Sequence, residues 1–231
     1  MMFWNSTCCV YCDCIRFSFQ TLLLTVVCLF FVGRFGEGPY KIRFTLDFPP
    51  EEGHEDEEDT GPNTFVVEMA PLDLMPHSVH HFLEMVSHGL LVGTSFHRNA
   101  HHVIQAGPTP YYKSEGKNLR KGFTENRLTS VAFQEYSPEF PHEKYTLGFA
   151  GRPGGPDWYV STVDNTKNHG PGGQSSYALA SEADPCFGKV ISGFDAVDRV
   201  HKMPVKPGWY NALEQNVGFA NVELLKEDAL S

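Results

Sequence analysis

The sequence predicts a mainly β protein whose strands run antiparallel and close, or nearly close, into a barrel plugged at its ends by helices. Three observations lead there. Many short runs show strand periodicity and are separated by glycine- and proline-rich turns. Only two stretches, Pro76 to His88 and Phe194 to His201, have helical spacing, one after the second strand and one near the end. No internal repeat divides the chain, and 231 residues suit one well-buried domain of about 170 to 190 residues plus an appendage.

The appendage is N-terminal. Residues 1–16 form a short tail with Cys8, Cys9, Cys12 and Cys14; Cys28 follows, and only Cys186 lies in the body, which therefore cannot form an internal disulfide. The spacing Cys-Cys-x2-Cys-x-Cys is too cramped for paired zinc knuckles, so reversible acylation and unmodified thiols stay as the two readings. Residues 17–33 follow, with no charge between Arg16 and Arg34. As a helix the uncharged stretch spans about 24 Å, slightly short of a bilayer core of about 30 Å. Phe31 stands two places before Gly33, and Pro39 follows Gly38, so neither glycine ends a good cleavage site. This favours an uncleaved signal anchor over a signal peptide. The expectation is a single-pass membrane protein of the secretory pathway or another endomembrane system, with the body in the lumen.

The body, residues 40–231, opens with Tyr40 to Phe48, where Ile42, Phe44, Leu46 and Phe48 alternate with polar neighbours as in a half-buried strand. A second strand, Thr64 to Met69, follows the insertion 49–63. That insertion holds seven of the 28 acidic residues; the rest of the chain has 21 acids against 18 bases. The net charge of -10 is thus mostly local. The segment reads as a solvated hairpin insertion, without the ligand spacing of a calcium loop. With no basic stripe, nucleic-acid binding is set aside. The helix Pro76 to His88 turns Val79, Phe82, Leu83, Met85 and Val86 to one side, and His77, His80 and His81 are expected to face solvent. Further strands are expected at Ser130 to Phe133, Tyr145 to Ala150, Asp157 to Thr162, Phe187 to Ile191 and around Val222 to Leu225, with 108–123 and 163–176 as loops. In the second helix, Phe194, Val197 and Val200 are expected inward.

Candidate chemistry concentrates in Thr94 to Gly107. If Thr94 to Arg98 and His102 to Gln105 are two short strands joined by a tight connection, the cation of Arg98 and the amide of Gln105 converge on one concave surface. Such a pair suits a polar amide better than a phosphate.

In this order the chain resembles a cyclophilin-type peptidyl-prolyl isomerase domain from about Tyr40 to Leu225. The resemblance rests on Phe96-His97-Arg98 followed by Gln105-Ala-Gly107, on Leu147-Gly-Phe-Ala150, on Asp157-Trp-Tyr-Val-Ser-Thr162, and on Phe187-Gly-Lys-Val190 leading to Gly193-Phe194. It implies a closed eight-stranded antiparallel β-barrel capped by two α-helices, with a proline pocket on its outer face. It also implies that Arg98 is the catalytic donor and that Gln105 orients it. Tyr159 would be the deep pocket aromatic, His102 and Val103 the other wall, and Ala150 and Gly151 the edge that pairs with the peptide. No cofactor or metal is implied; the partners are proline-containing polypeptide segments, and a monomer is expected.

The pattern is not kept throughout. Between Arg98 and Gln105 the chain is one residue shorter than the family pattern, with Ala100-His101-His102 where Pro-Gly-Phe is usual. No tryptophan precedes Phe187 in its loop, and the histidine expected three residues before Phe187 is Asp184. Two readings stay open: an isomerase, weak or selective, acting on X-Pro bonds, and a catalytically inactive module that binds proline-containing segments or scaffolds partners. A third, minor reading is a metal site built from His97, His101 or His102 with His169.

Overall fold

The structure is a computed structural model that describes residues 31–36, 38–50, 59–174, 181–208 and 210–225. The chain divides into two compact units, Met1–Glu37 and Gly38–Ser231. In the first, residues 31–35 are helical. Among the described residues no helix is long and apolar enough to cross a membrane. The cysteine-rich tail 1–16, nearly all of the expected anchor 17–33, and the acidic core of the insertion at 51–58 lie outside the described residues.

The second unit is built from eight strands: β1 (Lys41–Asp47), β2 (Thr64–Met69), β3 (Ser95–Asn99), β4 (Val103–Gly107), β5 (Thr146–Phe149), β6 (Trp158–Ser161), β7 (Cys186–Ser192) and β8 (Ala212–Leu225). They close in the order β1-β2-β7-β5-β6-β4-β3-β8, every pairing antiparallel. Closure leaves no strand edge unpaired, and the period of two sends alternate side chains inward. In β1 the inward set is Ile42, Phe44 and Leu46, as the alternation requires. The barrel centre is aromatic. Trp158 packs 5.5 Å from Phe44, 5.4 Å from Phe82, and 5.6 Å from both Phe96 and Phe219, ring centre to ring centre.

Two main helices plug the barrel. Helix α1 (Pro76–Ser87) begins with proline at its first turn, where the missing N–H is harmless. The Glu135 carboxylate accepts from the N–H groups of His77 and Ser78 at 3.1 and 2.8 Å, satisfying donors the helix itself cannot. Two small helices follow, α2 (Arg120–Glu125) and α3 (Thr166–His169), and then α4 (Phe194–His201). The last starts at Gly193, whose φ of 75° is left-handed and whose Cβ, if it had one, would lie 2.1 Å from the Thr64 carbonyl oxygen. Only glycine fits there.

Several expectations need correction. Ser130 to Phe133 is not a strand: the barrel is complete without it, and Val131 instead bonds the Gly154 carbonyl at 3.0 Å while Phe133 packs edge-on to His77. The segment 108–123 is not all loop, since it contains a 3-10 turn at Tyr112–Ser114 and the start of α2. Likewise 163–176 contains α3. The last strand is far longer than the run around Val222 because its two halves pair with different neighbours, β3 early and β1 late. Phe194 is 40% exposed, against Tyr145, while Ala196 takes an inward place beside Val197 and Val200. His81, expected in solvent, is 8% exposed and lies edge-on to Phe149, because α1 plugs the barrel and buries more than one apolar stripe.

Candidate active site

The hairpin of β3 and β4 sets the first part of the site. Arg98 and Gln105 are cross-strand partners, and Nη1 of the arginine donates to Oε1 of the glutamine at 2.9 Å. Nε of Arg98 donates to the Tyr210 carbonyl at 2.9 Å, so the guanidinium is held from two sides. These bonds use two of its five N–H groups and leave the rest for a ligand. The shortened connection is a tight turn: His101 has φ of 68°, and the Ala100 N–H bonds the Val103 carbonyl at 2.9 Å. It is pinned from β6 and beyond, since Thr162 Oγ1 donates to the His101 carbonyl at 2.7 Å and Asn165 Nδ2 to the His102 carbonyl at 2.9 Å.

Strand β6 sets the second part. Tyr159 pairs with Gln105 on one side and Gly148 on the other. A Cβ at position 148 would meet the Tyr159 ring at 2.5 Å, so the glycine makes room for the aromatic. Tyr159, Ala100 and Val103 form an apolar cluster with Ala150 packed against it. The Ala150 N–H donates to the Asp157 carbonyl and its own carbonyl accepts from Gly155, so Ala150, expected to pair with a peptide beside Gly151, already spends both backbone groups within the domain.

Arg98, His102, Val103, Gln105, Ala150, Gly151 and Tyr159 all line one cleft of about 690 Å³. Every residue nominated for the proline site is brought to this one place, whereas His97 and His101, named for a metal site, do not line it. Histidine 102 is the altered member: Nδ1 lies 2.8 Å from the Ala100 carbonyl, and its ring stacks on His169 at 5.3 Å. Burial holds its pKa below the usual histidine range, more than the Ala100 carbonyl raises it.

Below the apolar cluster lies a buried polar network that sequence reasoning did not assemble. The Tyr159 hydroxyl donates to Asp184 Oδ2 at 3.1 Å. His169 Nδ1 stands 2.6 Å from the same oxygen, and Arg152 Nε donates to Oδ1 at 3.0 Å. His142 Nε2 lies 2.9 Å from the Asp184 carbonyl. Burial pushes the Asp184 carboxyl up, but the His169 hydrogen bond and the Arg152 cation outweigh it and the pKa is lowered. Burial, reinforced by Asp184, raises Tyr159 well above its ordinary value, so the phenol stays a neutral donor. Arg152 lies inside a glycine-proline loop and His142 beside a proline, with no periodicity to mark either. In the stretch between β6 and β7, residues 175–180 lie outside the described residues; the described part puts Asn168, His169, Gln174, Glu182 and Asp184 on the cleft. Among the described residues no group of three or more His, Cys, Asp or Glu side chains could hold a metal ion.

Two buried histidines, His142 of this network and His81 of α1, make stability pH-dependent. Burial pushes both His142 and His81 down to about 4. With folded pKa values below the unfolded one, the unfolded chain binds more protons between about pH 6.5 and 4, so acidification through that window favours unfolding. Urea denaturation at pH 7.5 and 4.5 is expected to show a loss of stability of a few kcal/mol, the histidine contribution being complete below about pH 4. A flat profile, or one rising on acidification, would contradict the buried neutral histidines.

The arginine and amide over an apolar floor, on a closed eight-stranded barrel, agree with a family model described as cyclophilin type peptidyl-prolyl cis-trans isomerase/CLD, which matches residues 57–223. The chain belongs to this family. Among solved structures, a Cryptosporidium parvum cyclophilin type peptidyl-prolyl cis-trans isomerase is similar with TM-score 0.54 and 14% identity, over 81% of this chain and 98% of that one. The same enzyme crystallised in the presence of the dipeptide Ala-Pro gives TM-score 0.53 and 14% identity, over 80% of this chain and 99% of that one. At that identity the likeness shows the cyclophilin fold. No curated protein sequence matches. The cyclophilin barrel and its two main helices are thus as expected from the sequence.

Proposed function

We propose that this cyclophilin domain catalyses cis-trans isomerisation of X-Pro bonds through Arg98. The observation that carries the reading is the arginine fixed by Gln105 and the Tyr210 carbonyl beside the Ala100, Val103, Tyr159 and Ala150 cluster. Amide resonance sets a rotation barrier of roughly 18 to 20 kcal/mol. No nucleophile is required to cross it. As the C–N bond twists, the prolyl nitrogen pyramidalises and becomes an acceptor, and a fixed guanidinium donor binds that state better than either planar amide. The apolar cluster seats the proline ring, and Gly151 offers the backbone edge for the peptide. Exchange NMR on an Ala-Pro peptide with the full-length protein is expected to show cis-trans exchange well above the spontaneous rate of once in tens to hundreds of seconds. Exchange left at the spontaneous rate while peptide still binds would favour the second reading, a non-catalytic binder of proline-containing segments. The turn at Ala100 to His102 and the network under Tyr159 are what motivate that alternative.

The domain is further proposed to act as a monomer held at a membrane by residues 17–33, with its clients in the lumen of the secretory pathway or another endomembrane compartment. The uncharged run between Arg16 and Arg34 supports this. Release of the protein into the soluble fraction by alkaline carbonate would rule out the anchor.

A further inference from the structure

The cleft contains a cation that the isomerase reading leaves unused. Arg152 lines it between Gly151 and Asp184, and its side chain is only 6% exposed. Its Nε is taken by Asp184, yet Nη1 and Nη2 are buried and have no hydrogen-bond partner. Buried donors on a charged group are costly to leave unmade, which is why most such groups are satisfied. Nothing in the network can serve them: Asp184 spends its two oxygens on Arg152 Nε, His169 and the Tyr159 hydroxyl. What remains is the buried outer edge of a planar guanidinium, held in place by a buried carboxylate on a residue that lines the cleft. That edge fits two oxygens of one anion, the arrangement for which guanidinium is suited and ammonium is not.

We propose that Arg152 is a specificity residue of the groove, receiving an anionic side chain on the residue flanking the substrate proline. The inference rests on the peptide-binding reading of the cleft and adds the substrate class. Arg152 shares the cleft with the apolar cluster that would seat the proline ring and immediately follows Gly151, the proposed backbone edge. A side chain next to the proline is therefore the part of a peptide placed to meet it. The formal charges of the cleft balance, Arg98 and Arg152 against Glu182 and Asp184, so the preference comes from local hydrogen bonding and not from a net positive field. A carboxylate and a phosphoryl group share the needed chemistry, and the experiment separates them.

The test is a peptide ladder on the full-length protein. Exchange NMR gives kcat/KM for X-Pro peptides whose residue before or after proline is Ala, Glu, phosphoserine or Lys. The expected result is a preference of about tenfold, or about 1.4 kcal/mol, for Glu or phosphoserine over Ala at one of the two positions, with Lys below Ala. Whichever anion gains more identifies the source. In Arg152→Gln the preference is expected to vanish. Because that variant leaves Asp184 short of a partner, the wild-type ladder suffices if it does not fold. Equal rates for Ala, Glu and phosphoserine overturn the inference while leaving the isomerase intact. If no peptide is accelerated, the isomerase reading fails by itself; the same ladder read as dissociation constants from chemical-shift titration then decides, an anion preference supporting Arg152 and a flat series or no binding overturning it.

Discussion

Replacing Arg98 by alanine is expected to lower kcat/KM for an Ala-Pro peptide by about 10² to 10³-fold, the loss seen when one fixed donor to a developing charge is removed. The effect should fall on kcat more than on KM, because the guanidinium is useful mainly to the twisted amide, and the planar substrate still has the apolar cluster to rest on. Folding should be little affected. Arg98 is half-exposed, its partners are one amide and one backbone carbonyl, and β3 keeps its ladder to β4 and β8 without it. Line-shape or exchange analysis of cis and trans proline signals gives the rates, and unfolding curves give the control. A variant that folds and retains most of the activity would move the chemistry away from Arg98.

Asp184→Ala is expected to destabilise the domain by about 3 to 5 kcal/mol, the usual result of removing one member of a buried ion pair. The side chains of Arg152 and Asp184 are 6% and 5% exposed, so the surviving guanidinium cannot recover its water. The Tyr159 hydroxyl and His169 lose the same carboxylate. Removing both charges together should hurt less, so Arg152→Met combined with Asp184→Leu is expected to recover much of the loss, although it would also erase any anion preference. Urea denaturation of the wild type, the single variant and the pair tests this, and a cost below about 1 kcal/mol for Asp184→Ala would mean that the pair behaves like a solvated surface bridge. The pH effect of Asp184 has the same sign as that of the histidines but lies at lower pH. A carboxyl held below its unfolded value contributes stability that is present above about pH 4 and lost as pH falls further.

Much of the fold was legible because single segments carried it. The alternation in β1 and β2, the helical spacing of α1, and the compulsory glycine before α4 are local signals with local causes. The site was legible in a different way: Arg98 and Gln105 lie on adjacent strands of one hairpin, so a short stretch of sequence already holds the pair. Tyr159 needed the family order to be placed. The errors share a cause. Ser130 to Phe133 has the composition of a strand but no edge left to pair with, and His81 has a polar side chain on a helix that is enclosed on more than one side. Both outcomes depend on what surrounds the segment.

From the sequence alone came the barrel class, the two main helices, the arginine and glutamine pair, and the places where the pattern changes at Ala100 to His102 and at Asp184. Only the tertiary structure decided what those changes mean. Arg152, His142, Tyr159, His169 and Asp184 are up to 42 residues apart in the chain, and closure of β5, β6 and β7 brings them under one groove. A hydrogen-bond network between such distant residues has no period and no spacing rule. Its members are chosen by which buried polar atoms need one another once water is gone, and that need exists only after the barrel has closed.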